Sequence, residues 1–333
     1  MRTFRDGARY LPAAGFLSIA LASLIVPIAS GNSYILEVAS VMGISVILAL
    51  SLNLLYGYTG QLSFATGAFL GIGAYTATIL TTVVGLPFLV SLIPAIVIPG
   101  LVAYVVGLPT LQLRGNYLAI GTLAVQLAIT AFFQQASSLT GGTLGIFGMQ
   151  RPTMLGISFA SDGAYYVLIS VSAIGCYILA SRIVSSRWGR AASAVGTDDI
   201  AASAMGMNPT HYKVMMFSLT SMMAGLAGAL FAYQLLFISP VSFDINESIV
   251  VLAMVVVGGV RSNPGAVVGA AVITIVQQVL FGAGQFEFLL FGLFIIATLV
   301  FAPRGLVGVV GTVARTAHRL ASKSVAPRVG RHV

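Results

Sequence analysis

Apolar residues in this chain run in long blocks, and the polar residues gather in the gaps between them. A helix that is apolar on every side belongs in lipid or in a large core. Crossing a bilayer takes about 20 residues. Ten blocks meet or approach that length: Tyr10–Ala29, Ile35–Leu55, Leu62–Val84, Pro87–Leu108, Asn116–Phe133, Ala164–Ser181, Val214–Phe237, Ser248–Gly258, Gly265–Phe281 and Phe288–Phe301. Ser248–Gly258 is short and reads as a tilted crossing or as part of a broken helix. The pattern therefore predicts an all-α integral membrane protein with about ten transmembrane helices.

Charge fixes an orientation. With Arg2, Arg5 and Arg9 in the cytoplasm and ten crossings threaded, all but Arg151 of the 16 basic residues fall inside. The acids Glu37, Asp162, Asp244, Glu247 and Glu287 fall outside or at the outer boundary. One span more or fewer would invert every later loop and destroy this partition. Both termini are thus expected in the cytoplasm. Residues 1–9 form a short N-terminus, 10–303 a transmembrane domain with a cytoplasmic loop at 183–213, and 304–333 a basic tail suited to anionic headgroups. The first block also has the look of a signal peptide, with small residues at Ala29-Ser30-Gly31. Its length favours a retained helix.

Composition agrees. Of 333 residues, 58% are apolar and 7% charged, and the mean hydropathy is +1.01. A soluble domain carries about 25% charged residues, so this chain could not cover a soluble surface. The same hydrophobicity excludes disorder, and a single cysteine, Cys176, excludes a disulfide scaffold. A net charge of +8 could suggest nucleic acid, but its placement between apolar blocks is that of a membrane protein.

Several kinds of chemistry are missing. The only lysines are Lys213 and Lys323, and neither follows the glycine spacing of a P-loop. No His/Cys/carboxylate cluster suggests a metal site or a catalytic triad. The block interiors carry no Lys, Arg, Asp, Glu or His, which lowers the claim of ion-coupled transport. The chain reads as a non-enzyme without a cofactor of its own, and energy for transport would enter from another subunit.

The most informative loop runs from Ser186 to Pro209. Thr197 or Asp198 can N-cap a short helix, with acids suiting its positive end. Gly206 can end that helix, and Pro209 blocks its continuation. Such a small-faced helix implies close docking of another body, or an amphipathic helix lying on lipid.

At this loop the sequence resembles a family. Gly189-Arg190-Ala191, Asp198-Asp199-Ile200-Ala201-Ala202, Ala204-Met205-Gly206-Met207-Asn208 and Tyr212-Lys213 are similar to the coupling loop of ABC importer permeases for branched-chain amino acids. The run from Leu52 to Phe64, with Gly67-Ala68-Phe69 and Gly71-Ile72-Gly73-Ala74-Tyr75, resembles the signature of the LivM-type permease, as do Leu113–Ile120 and Leu139-Thr140-Gly141-Gly142. The resemblance covers roughly residues 35 to 305. It implies a multi-pass subunit of a bacterial inner (plasma) membrane working by alternating access. The implied partners are a second related permease, two cytoplasmic ATPase subunits that bind the ATP, and an extracytoplasmic substrate-binding protein, with an amino acid as substrate. It also implies that Gly189, Arg190, Asp198, Asp199, Ala201, Ala202 and Gly206 belong to the ATPase-coupling loop. The outer stretch Phe132–Gly163 would be a landing surface for the binding protein. Departures are the lack of a His near Thr66, fewer charges around Gly196 and Ser203, and Arg261 and Pro264 in a turn that is Gly-rich in the family.

Candidates for the translocation pathway come from the first signature. Asn53, Gly57, Thr59, Gln61, Ser63 and Thr66 interrupt apolar sequence. Such interruptions suit a cavity-lining broken helix, or an ordinary turn between blocks two and three. Gly67/Gly71 and Gly265/Gly269 suit close helix packing, and Gln126 suits an interhelical hydrogen bond. No convincing internal repeat is present. The alternative function is an ion-coupled secondary transporter or facilitator for a small neutral solute.

Overall fold

The computed structural model describes residues 27–28, 31–113, 115–149, 151, 153–154, 157–159, 161–301 and 305–306. All of the first apolar block but residues 27–28, Arg114 and nearly all of the basic tail lie outside them, as do the predicted positions of both termini. The described chain is helical apart from two small β ladders. Its main helices are α1 (Ser33–Leu52, continued as a π-helix over Asn53–Tyr58), α2 (Thr66–Thr82), α3 (Phe88–Thr110), α4 (Asn116–Gln135), α5 (Asp162–Ser185), α6 (Arg187–Thr197), α7 (Asp199–Ala204), α8 (Pro209–Leu235), α9 (Ile245–Gly258), α10 (Asn263–Leu280) and α11 (Glu287–Phe301). Among the described residues, six helices are long and apolar enough to cross a membrane: α1 with its π-helical continuation, α3, α4, α5, α8 and α10. The protein is an all-α integral membrane protein.

Polar side chains set the starts of the helices. Asn32, Ser161, Asn208, Asp244 and Ser262 each accept a backbone N–H from the first turn of the helix that follows, which satisfies donors that no earlier turn can reach.

Helix α8 is the hub, with 67% of its most apolar stretch buried, against 22% for α4 and for α5. Its small residues let neighbouring backbones approach. A Cβ on Gly228 would collide with the Leu70 carbonyl oxygen, and a Cβ on Gly73 with that of Gly225. On the far side, Ser91, Ala95, Pro99, Ala103 and Gly107 form a four-residue-spaced buried stripe on α3. There Pro99 packs against Gly225, and Ser218 donates to the Gly100 carbonyl at 2.7 Å. Gly67, Gly71, Gly265 and Gly269 all face other parts of this same chain.

Two helices are shorter than the crossing helices around them and serve here as half-helices. By rise per residue α2 spans about 25 Å and α9 about 21 Å, whereas α8 spans about 40 Å. Both half-helices begin in the middle of the bundle. Thr66 lies beside Thr220 and Ser221, at the midpoint of α8. The Gly67 N–H reaches Ser248 Oγ in the first turn of α9 at 2.8 Å. The segment Gly60–Ala65 runs in from the end of the bundle that holds α6. The segment Ser239–Asp244 runs in from the opposite end, where Phe237–Ile238 pairs antiparallel with Ile146–Phe147. A long helix, a re-entrant segment and a shorter helix thus occur twice, in opposite directions, the first re-entry irregular and the second holding a 3-10 turn over Pro240–Phe243.

This corrects three expectations. The block Leu62–Val84 is not one helix, because Leu62 to Ala65 form an irregular segment before the helix starts at Thr66: hydropathy reports burial, and this stretch is largely buried without being helical. Ser248–Gly258 begins earlier, at Ile245. Asp244 and Glu247 start α9 inside the bundle, level with Gln126 at the middle of α4, so they do not sit at its outer boundary.

Candidate functional site

The loop singled out in the sequence folds as a helical hairpin. Ser186 caps α6 by accepting the Gly189 N–H at 3.0 Å. Gly189 is buried where a Cβ would strike the Ile183 carbonyl, so it serves the tight α5–α6 junction. Arg190 is exposed and donates to the Ser185 carbonyl at 2.6 Å. Asp198 caps α7, accepting from Ile200 at 2.9 Å and Ala201 at 3.0 Å. Asp199 turns inward and pairs with Lys213 on α8. Ala202 is buried. Gly206, at φ +79°, ends α7, with the Met207 N–H returning to the Ala202 carbonyl at 3.1 Å. This is the left-handed turn that glycine adopts without penalty.

The small residues of this loop therefore have two different explanations. Those on α6 are small because this chain packs on them: a Cβ on Gly196 would lie 2.5 Å from the Tyr58 carbonyl oxygen and 2.7 Å from the Thr59 Cα. Those on α7 face outward. Ile200 is 73% exposed and Met205 81%, with Ala201, Ser203, Ala204 and Gly206 also exposed. The result is an uncovered apolar tip on a braced support. One expectation follows from the Gly206 geometry. A Cβ there meets nothing within 4 Å, so substitution acts through backbone strain. Gly206→Val should cost about 1–2 kcal/mol locally, read as faster amide exchange in residues 199–207. Gly206→Asn, which tolerates this conformation, should stay near wild type. Equal exchange in all three would mean that the turn does not need the left-handed conformation.

The second site is the interruption between α1 and α2. Thr59 Oγ1 donates to the Leu55 carbonyl at 2.6 Å, and Gly60 takes φ +68°. Backbone away from water needs partners, and side chains supply them here. Phe64 N–H meets Thr122 Oγ1 at 3.1 Å, Ala65 N–H meets Ser63 Oγ at 3.2 Å, and Ala68 N–H meets Gln126 Oε1 at 2.7 Å. Gln126 Nε2 then donates to the Phe243 carbonyl at 2.7 Å, so Gln126 joins both re-entrant segments.

Ser63 and Thr66 line a narrow crevice with Ser51, Thr220, Ser221 and Phe217. Three of these hydroxyls spend their proton on their own helix: Ser51 on Leu48 at 2.7 Å, Thr220 on Phe217 at 3.0 Å, and Ser221 on Phe217 at 2.8 Å. What they offer the crevice is lone pairs, which accept hydrogen bonds. Gln61 is 2% exposed, and neither atom of its amide has a hydrogen-bond partner among the described residues. Asn53, Gly57 and Thr59 stand elsewhere, at the α6 end. Asn53 donates to Asn263 Oδ1 at 3.0 Å, and Gly57 lies against the Arg261 backbone. Ser51, Thr220 and Ser221 escaped sequence reading because single hydroxyls in apolar blocks give no periodic signal.

A family model described as branched-chain amino acid transport system / permease component matches residues 34–303. The chain belongs to this permease family. It is 30% identical over 294 residues to the high-affinity branched-chain amino acid transport system permease protein LivM of Salmonella typhimurium, covering 81% of this chain and 69% of that protein. The LivM protein of Escherichia coli gives the same figures. A probable branched-chain amino acid transport permease protein LivH of Methanocaldococcus jannaschii is 30% identical over 311 residues, 84% of this chain and 93% of that one. No solved structure matches the chain. As a member of the family with six crossing helices, it is a multi-pass inner-membrane permease.

Proposed function

We propose that this chain is the membrane-spanning subunit of an ATP-driven importer for branched-chain or related amino acids, working by alternating access. Its partners would be a second related permease, two cytoplasmic ATPase subunits carrying the ATP, and an extracytoplasmic binding protein. The observation that carries this reading is the placement of the uncovered α7 tip on a helix, α6, that touches the interruption at Tyr58–Gly60 directly. A body gripping the tip can move the re-entrant segment without acting through lipid-facing helices.

In this reading the α6 end is cytoplasmic, ten helices cross, and both termini lie inside. Arg190, Asp198, Ala201 and Gly206 would meet the ATPase, with Gly189, Asp199 and Ala202 holding the hairpin's shape. The strand-paired end would face the binding protein. Substrate would pass the crevice of Ser51, Ser63, Thr66, Thr220 and Ser221. Its hydroxyl lone pairs suit an α-ammonium group, while Phe69 and Phe217 suit an apolar side chain. The N-termini of two half-helices meet nearby, and their positive ends favour a carboxylate.

The decisive experiment is reconstitution of the chain with its ATPases, partner permease and binding protein in liposomes. ATP-dependent accumulation of leucine, isoleucine or valine is expected, along with ATPase activity that rises with loaded binding protein. Accumulation by the purified chain alone, driven by an ion gradient, would overturn the proposal.

A further inference from the structure

The turn between α9 and α10 carries a residue whose backbone and side chain do not suit each other. Arg261 has φ +66°, a conformation that glycine adopts freely and an arginine does not. A glycine would serve the turn as well, so what the position gains from arginine must come from its side chain. Three groups of this residue reach two other elements. Its N–H donates to Asn53 Oδ1 at 3.0 Å, its carbonyl accepts from Tyr58 Oη at 3.0 Å, and its guanidinium donates to Ser193 Oγ on α6 at 2.7 Å. Asn53 is fully buried and held from the other side by Asn263 at 3.0 Å. Beside this bond, Gly60 and Gly196 approach backbone to backbone; a Cβ on Gly60 would lie 3.1 Å from the Gly196 carbonyl oxygen.

We propose that Arg261 is a positioning residue that clamps α6 to the π-helical end of α1, so that displacement of the α6–α7 hairpin is passed to the Gly60–Ala65 segment. The proposal rests on the permease reading for what moves the hairpin, but the clamp itself is a property of this chain. The geometry divides the labour. The Arg261 backbone is fixed to α1 through Asn53 and Tyr58, and the guanidinium carries that rigidity across to Ser193. The positive charge also sits by the C-terminal half of α6, where the helix dipole favours it.

The clamp is testable without transport. Arg261→Gly keeps the left-handed turn, so the fold is retained while the guanidinium is lost. In the full chain in nanodiscs, amide exchange should rise about tenfold in residues 187–197 and 58–66 together. Ser193→Ala should reproduce the rise in α6, and the double variant should add nothing to Arg261→Gly. A rise confined to residues 259–262, or additive effects, would overturn the proposal. So would unchanged exchange with reduced recovery of the ATPase, which would make Arg261 a direct docking contact. In the assembled transporter, uptake per ATP should fall several-fold in Arg261→Gly and recover in part in Arg261→Lys. If wild type fails to import, the permease reading falls, while the exchange measurement still decides the clamp.

Discussion

Gly228→Ala should destabilise the folded chain by about 3 kcal/mol or more, the upper range for overpacking a tight contact. The added methyl would be driven into the Leu70 carbonyl oxygen and within 3.0 Å of the Ala74 nitrogen. Both are backbone atoms of α2, so no rotamer change can relieve the clash, and α8 must move away from α2. That contact also positions Phe69 against Phe217, whose rings meet edge to face at 5.3 Å, beside the crevice. Gly175→Ala is the control. Gly175 lies in α5 with nothing within 4 Å of its would-be Cβ, and helix propensity favours alanine there by up to about 1 kcal/mol. Thermal unfolding in detergent should separate the two variants widely. Equal midpoints would mean that α2 and α8 do not touch through their backbones.

The second large effect concerns Gln61, and there stability and activity should part. An amide buried with neither atom partnered costs about 1–3 kcal/mol. Gln61→Met preserves length and volume while removing the polar atoms, so the midpoint of unfolding should stay level or rise. On the proposal that the Gln61 amide meets a charged group of the passing substrate, uptake should nevertheless fall about ten- to a hundredfold. In the proposed importer, assembly with the ATPases should persist, since Gln61 is buried. Unchanged uptake would return Gln61 to a purely structural place. A drop in both uptake and stability would show that its amide has a partner in the resting fold.

Asp198, Gly206 and Asn208 show what local chemistry can reveal. Each does what its residue type suggests, capping α7, closing it through a left-handed turn, and capping α8. These are interactions over two to five residues, and they are legible in one dimension. Leu62 shows the opposite. It is apolar and opens an apolar block, yet it lies outside any helix, because partners 58 and 181 residues away, Thr122 for Phe64 and Ser248 for Gly67, satisfy the backbone that a helix would otherwise have to satisfy itself. Gly196 is instructive in a third way. Its small size was visible, but the body that demands it is this chain's own Thr59, not a partner.

The sequence by itself determined that the chain lives in a bilayer, how its α7 hairpin is capped and which family it resembles, because hydropathy and capping act locally along the polymer. Only the tertiary structure decided that two half-helices meet in the middle of the bundle, that Ser63 and Thr66 face Ser51, Thr220 and Ser221, and that Arg261 reaches Ser193. Those arrangements depend on backbone polar groups finding partners far away in the chain, and a one-dimensional pattern carries no record of which distant residue will supply them.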